Sequence, residues 1–283
     1  MSGLWNNTKT TILMGALMGL CLGIGYLIGG NGGLIYAFII GGVFNLIAFF
    51  FSDKIALATM RAQEIGPNDD PALWQTVEDL SQRAGLPMPR VYISPAAAPN
   101  AFATGRGPRH SAVCVTAGLR QMLNDNELRG VLAHELSHVK NRDVLISTIA
   151  AIMAGAITML TRIFVFTGGG HDDDRHGNPL IAILLMILAP IAAFIIQMAI
   201  SRSREYEADR SGAELAGDPE GLARSLQKLE AANKRIPLPV PDAQSSLFIV
   251  QPLTGSSVAK LFSTHPPTEE RIARLRAMGQ RGY

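Results

Sequence analysis

Residues 124–138 read NDNELRGVLAHELSH, and the rest of the chain is read outward from this stretch. Asn124, followed three residues on by Glu127, is the pattern of a helix N-cap whose two side chains bond each other's backbone. Leu128, Val131 and Leu132 then recur at helical spacing. A helix therefore carries His134-Glu135-Leu136-Ser137-His138. Residues four apart share a helical face, so His134 and His138 can point at one ion. The ion would lie about 2.0–2.1 Å from each ring nitrogen. Glu135, one residue past the first histidine, can reach a metal-bound water without ligating the metal. That is the arrangement for zinc-activated hydrolysis with a carboxylate as general base. The competing reading is two solvated histidines on a surface helix, against which stand the rarity of a chance match and the helical context.

A catalytic zinc takes three protein ligands and keeps one position for water. The remaining histidines and the carboxylates are candidates, and Glu205 in SREYEADR (203–210) is the strongest. The H-E-x-x-H helix runs into an apolar block, Val144 to about Phe166, and Glu205 directly follows another, Pro179 to about Ile200. Two adjacent antiparallel helices would bring those ends together. Asp209 lies four residues past Glu205 and shares its face, where it can accept the free N–H of a ligating histidine. Glu207 falls on another face and is expected to be solvated. An ordinary charged helix face is the alternative for the whole segment.

The same apolar blocks suggest membrane spans. No charged residue occurs between Lys9 and Asp53, far more than the ~20 residues needed to cross a bilayer. The run is interrupted at Gly29-Gly30-Asn31-Gly32-Gly33, which reads as a turn between spans near 10–29 and 34–52. A cleaved signal peptide competes for the first span, but a second span follows at once. The blocks 144–166 and 179–200 supply a third and fourth span, with a buried soluble helical pair as their alternative. Lys9, Lys54, Arg61, Lys140, Arg142, Arg202 and Arg204 fall on one side of this topology, which places both termini and the polar segments in the cytoplasm.

The expected fold class is thus a mainly α-helical integral membrane protein: four transmembrane helices plus a zincin-type α+β metalloprotease domain split by the third and fourth spans. Residues 1–52 form an N-terminal transmembrane hairpin. Residues 53–143 form the first part of the metalloprotease domain and end in the H-E-x-x-H helix. Residues 144–200 hold the third and fourth spans with a short acidic loop, and 201–283 the second part of the domain with the third ligand. Within 53–143, Pro71 to Ala84 reads as an amphipathic helix, Arg90–Ile93 and Ala112–Thr116 as short strands, and Pro95–Arg109 as a connection.

Charged residues make up 17% of the chain and the formal net charge is +2, which excludes intrinsic disorder and a phosphate-binding nucleic-acid partner. Two cysteines, Cys21 and Cys114, exclude a disulfide scaffold and an all-cysteine zinc site. A non-catalytic membrane scaffold or chaperone is a rival reading, which an intact Glu135 argues against. A metal transporter is another, but the runs 10–52 and 179–201 hold no ionisable acid or base for a path through the bilayer.

Several further residues are candidates. Asn100-Ala101-Phe102-Ala103 has the small residues that would leave room for an extended substrate beside an edge strand; the alternative is a plain loop. His265 stands open between an oxyanion donor, a ligand at the metal's open position and a helix-capping His-Pro turn. Arg204 is expected to pair with Asp209 or Glu207 or to meet lipid headgroups, with a substrate carbonyl as the alternative. His171, Asp172, Asp173, Asp174 and His176 read as a solvated loop, and 237–257 as a linker or flap.

Taken together, His134-Glu135-x-x-His138, two apolar blocks and SRSREYEAD (201–209) closely resemble the HtpX membrane metalloproteases, which group with the CAAX prenyl proteases among gluzincin-type zinc peptidases. PNAFATG (99–105) and STHPPTEERI (263–272) extend the resemblance over nearly the whole chain. It implies one Zn2+ per chain held by His134, His138 and Glu205, with Glu135 as the base. It further implies an ATP-independent endopeptidase, with no nucleotide partner. Its substrates would be polypeptides, chiefly misfolded or damaged membrane proteins, met at the cytoplasmic face of a prokaryotic inner membrane.

Overall fold

Gly30, with φ 57 and ψ −139, and Gly29 beside it break an otherwise continuous helix, α1 (Ser2–Thr59), into two arms. Only glycine takes such an angle without cost, and the break falls where the sequence placed its turn. A Cβ on Gly25 would lie 2.4 Å from the Ala37 Cβ and 2.7 Å from the Gly33 carbonyl oxygen. The arms therefore fold back on one another, with Cys21, Ile24 and Ala37 buried. Tyr26, Leu27, Tyr36, Phe38 and Ile39 are exposed.

The molecule, a computed structural model, is described over residues 2–143, 157, 179–233 and 266–280. It divides into two compact units: Met1–Phe50 with Ile146–Ile200, and Phe51–Leu145 with Ser201–Tyr283. Among the described residues, no helix is long and apolar enough to cross a membrane. The expected third span (apart from Ile157), the acidic loop with His171 and His176, the 237–257 stretch and His265 all lie outside the described residues.

The second unit is helical with one small sheet. β1 (Gln63–Ile65) leads to α2 (Pro71–Ala84), whose first turn is closed by Asp70 accepting from the Leu73 N–H and whose end is capped by left-handed Gly85. β2 (Arg90–Ser94), β3 (Ala101–Gly105) and β4 (Ser111–Thr116) follow, then α3 (Ala117–Met122). The sheet order is β1-β2-β4-β3. β2 and β4 are parallel, while β1 and β3 pair antiparallel with their neighbours. β3 corrects the reading of Pro95–Arg109 as a plain connection. Ala-Phe-Ala-Thr-Gly carries little strand propensity of its own, and pairing with β4 and burial of all five residues make the strand.

α4 (Asp125–Asn141) carries the reciprocal cap between Asn124 and Glu127, both bonds at 3.0 Å. α5 (Pro179–Ala216), α6 (Pro219–Asn233) and α7 (Thr268–Gln280) complete the described elements. Leu73, Val77 and Leu80 of α2, Val113 and Val115 of β4, and Leu128, Val131, Leu132 and Leu136 of α4 share one core with Leu222 and Leu226 of α6 and Leu275 of α7. Glycine lets the neighbours press close to α4. A Cβ on Gly130 would lie 2.7 Å from the Leu222 nitrogen, and one on Gly212 would lie 2.8 Å from the His134 Cα. α5 thus crosses α4 at the first histidine.

Candidate metal centre

α4 projects His134 and His138 from one face, and α5 brings Glu205 to them. One ligand atom from each of the three lies within 4.8 Å of the others. The two Nε2 atoms are 3.1 Å apart. His134 Nε2 lies 3.6 Å from Glu205 Oε2, and His138 Nε2 lies 3.5 Å from Glu205 Oε1. His134 and Glu205 are buried, at 1% and 5% exposure.

The far side of each ring meets a second carboxylate. His134 Nδ1 is 3.0 Å from Asp209 Oδ1, and His138 Nδ1 is 3.1 Å from Asp143 Oδ2. A carboxylate beside Nδ1 holds the proton there and leaves Nε2 with its lone pair. Two lone pairs and a carboxylate then converge on one point in a buried site. Such a donor set repels itself unless a cation lies among it, so the residues fit a metal ion of the kind imidazole and carboxylate prefer. Burial alone would lower the His138 pKa, but Glu205 and Glu135 outweigh it and the net shift is upward. The pocket attracts positive charge.

Glu135 stands beside this point without joining the ligand group. Its Oε2 accepts the Ala103 N–H at 2.8 Å. Burial pushes its carboxyl pKa up, although the two histidines pull the other way. The bond ties Glu135 to edge strand β3. Asn100 bonds back to Thr116 through both main-chain groups, whereas Ala103 turns its N–H away from β4, as strand alternation requires of Ala101 too. Asn100, Ala101, Phe102 and Ala103 are all buried, at 5% exposure or less, so the segment meets α4 and β4 rather than open solvent.

Asp209 is gripped from behind. Arg271 Nε donates to Oδ2 at 2.8 Å and Nη2 donates to Oδ1 at 2.7 Å. Burial opposes ionisation of Asp209, but the Arg271 charge wins and holds its pKa below the usual carboxylate range. Arg271 Nη2 is also 3.3 Å from Glu205 Oε2. Arg204 pairs with Asp143. This corrects the expected partners: five residues separate Arg204 from Asp209 on one helix, which sets them on different faces, and Glu207 pairs with Arg210 at the surface. Asp143 and Arg271 were missed by sequence reasoning. Asp143 has a weak signal, as the first carboxylate after the H-E-x-x-H helix; Arg271 lies inside the 263–272 motif that marks the family resemblance, but nothing local gives it a role.

A H-E-x-x-H helix packed on a short mixed sheet, with a glutamate delivered from a later helix, defines a metallopeptidase centre. Residues 67–279 match peptidase family M48. Over 278 residues the chain is 53% identical to a "Protease HtpX homolog" of Pelotomaculum thermopropionicum, covering 96% of this chain and 99% of that one. It is 49% identical over 282 residues to another from Paraburkholderia phytofirmans, covering 99% of each. The fold resembles the crystal structure of S. mikatae Ste24p with a TM-score of 0.58 at 19% identity, over 96% of this chain and 66% of that one. The chain belongs to peptidase family M48, among its HtpX proteases.

Proposed function

We propose that this metallopeptidase is a membrane-bound, zinc-dependent endopeptidase that cleaves misfolded or damaged membrane proteins. The observation that carries the reading is the meeting of His134, His138 and Glu205 within 4.8 Å, with Glu135 held alongside by the Ala103 N–H. His134, His138 and Glu205 hold one Zn2+, and Asp209 orients His134. When bound, zinc acidifies water and polarises the peptide carbonyl. Glu135 takes the proton of the attacking water at its free carboxylate oxygen and delivers it to the leaving amine. Asn100, Ala101, Phe102 and Ala103 line the place where the substrate lies extended beside edge strand β3. His265 serves as a donor to the oxyanion.

Four spans, near 10–29, 34–52, 144–166 and 179–200, seat the enzyme in a prokaryotic inner membrane with the catalytic segments 53–143 and 201–283 in the cytoplasm. The support is the charge-free run from 10 to 52, the Lys/Arg asymmetry and the exposed Tyr36, Phe38, Ile39, Ile187, Leu188, Ile191 and Ile195 on α1 and α5, which the surrounding lipid would cover.

Glu135→Gln decides between a peptidase and a scaffold with a metal site. The protein purified in detergent is expected to keep its zinc and lose casein cleavage by about 100-fold or more. Cleavage that persists at full zinc content refutes the assigned base.

A further inference from the structure

Each histidine of the centre is backed by an aspartate, and each aspartate by a buried arginine. His138 leans on Asp143, which pairs with Arg204. His134 leans on Asp209, which Arg271 grips with both arms of its fork. The two arms differ in their source and reach. Arg204 sits next to Glu205 on α5. Arg271 comes from α7, is 1% exposed, and extends to Glu205 Oε2 as well.

We propose that Arg271 is a positioning residue for the metal centre, and that α7 is thereby a structural part of it. The guanidinium sets Asp209 behind His134 and steadies Glu205, so that two of the three ligands face the same point. The inference rests on the zinc-hydrolase reading above. Charge alone does not meet the requirement. The planar fork makes two parallel bonds to Asp209 while one nitrogen also reaches Glu205, which an ammonium cannot reproduce. Removing the arginine leaves two buried carboxylates without their compensating cation, free to turn from the histidine and the ligand point.

The test uses the full chain in detergent, stripped of zinc and titrated back against a competing chelator. Arg271→Met is expected to weaken zinc binding by roughly 10–100-fold, with Arg271→Lys in between. The absorption bands of the cobalt(II)-substituted protein, which report ligand geometry, should move in Arg271→Met and partly recover in Arg271→Lys. Arg276→Ala removes an exposed α7 pair with Glu220 and is expected to leave affinity and spectrum alone. If Arg271→Met folds, by circular dichroism, and binds zinc like the wild type with the same cobalt spectrum, the inference is overturned. If Arg271→Met does not fold, Arg271→Lys carries the test, and wild-type affinity and spectrum there overturn it equally. A wild-type chain that binds no zinc overturns the underlying hydrolase reading instead, whatever the variants do.

Discussion

Gly25 and Gly212 do the same mechanical job in different units, and the contrast shows what a close helix contact is for. At Gly25 the arms of α1 meet backbone against methyl, at 2.4 Å from an added Cβ to Ala37, and no polar side chain is involved. At Gly212 the contact is with the backbone of His134 itself. Counting back along α5, Asp209 and Glu205 lie on the same face, one and two turns away. One crossing only packs. The other sets how far two carboxylates stand from a histidine.

Three experiments test that contrast, beginning with the largest effect. Glu205→Ala removes the donor that the Gly212 crossing delivers, and zinc affinity should fall by more than about 100-fold, beyond the usual loss for an outer partner. Glu207→Ala, on another face and paired with Arg210, should leave it unchanged; equal losses from both would break the ligand assignment. Next, Gly212→Ala and Gly25→Ala should each destabilise their unit by about 1–3 kcal/mol through overpacking. Only Gly212→Ala should also lower zinc affinity. If Gly25→Ala does so too, the division of labour fails. The smallest effect concerns acid. Residues 10–52 hold no carboxylate, while the second unit relies on several.

Asp70 illustrates that reliance: it caps α2 and pairs with Arg120, which holds its pKa below the ordinary value. A depressed folded pKa stabilises fully above the unfolded value, about 3.9, and the contribution is lost as pH falls through the lower folded value. Asp70→Ala should therefore cost about 1 kcal/mol at neutral pH and less below pH ~3.9. Chemical denaturation curves at the two pH values check this.

How much was legible in the sequence follows the range of each interaction. Asn124 and Glu127 reveal their cap because both partners sit within one turn. His134 and His138 reveal a shared face for the same reason. Glu205 required a topological step, two apolar blocks folding back, and its position beside the histidines depends on Gly212, which carries no chemical signal. β3 holds two alanines and a glycine among its five residues, so its strand character comes from pairing with β4 and cannot be read locally. Arg271 is the extreme case. Its partner Asp209 is far away in the chain, and an arginine followed by Ile272 in a charged helix looks like any solvated one. The sheet's β2 and β4, rich in β-branched residues, lie at the other end of that scale.

The contact between α7 and Asp209 orders events in time as well as in space. Translation reaches His134 and Glu135 well before Arg271. The H-E-x-x-H segment is therefore made before the arginine that stands behind Asp209 and His134.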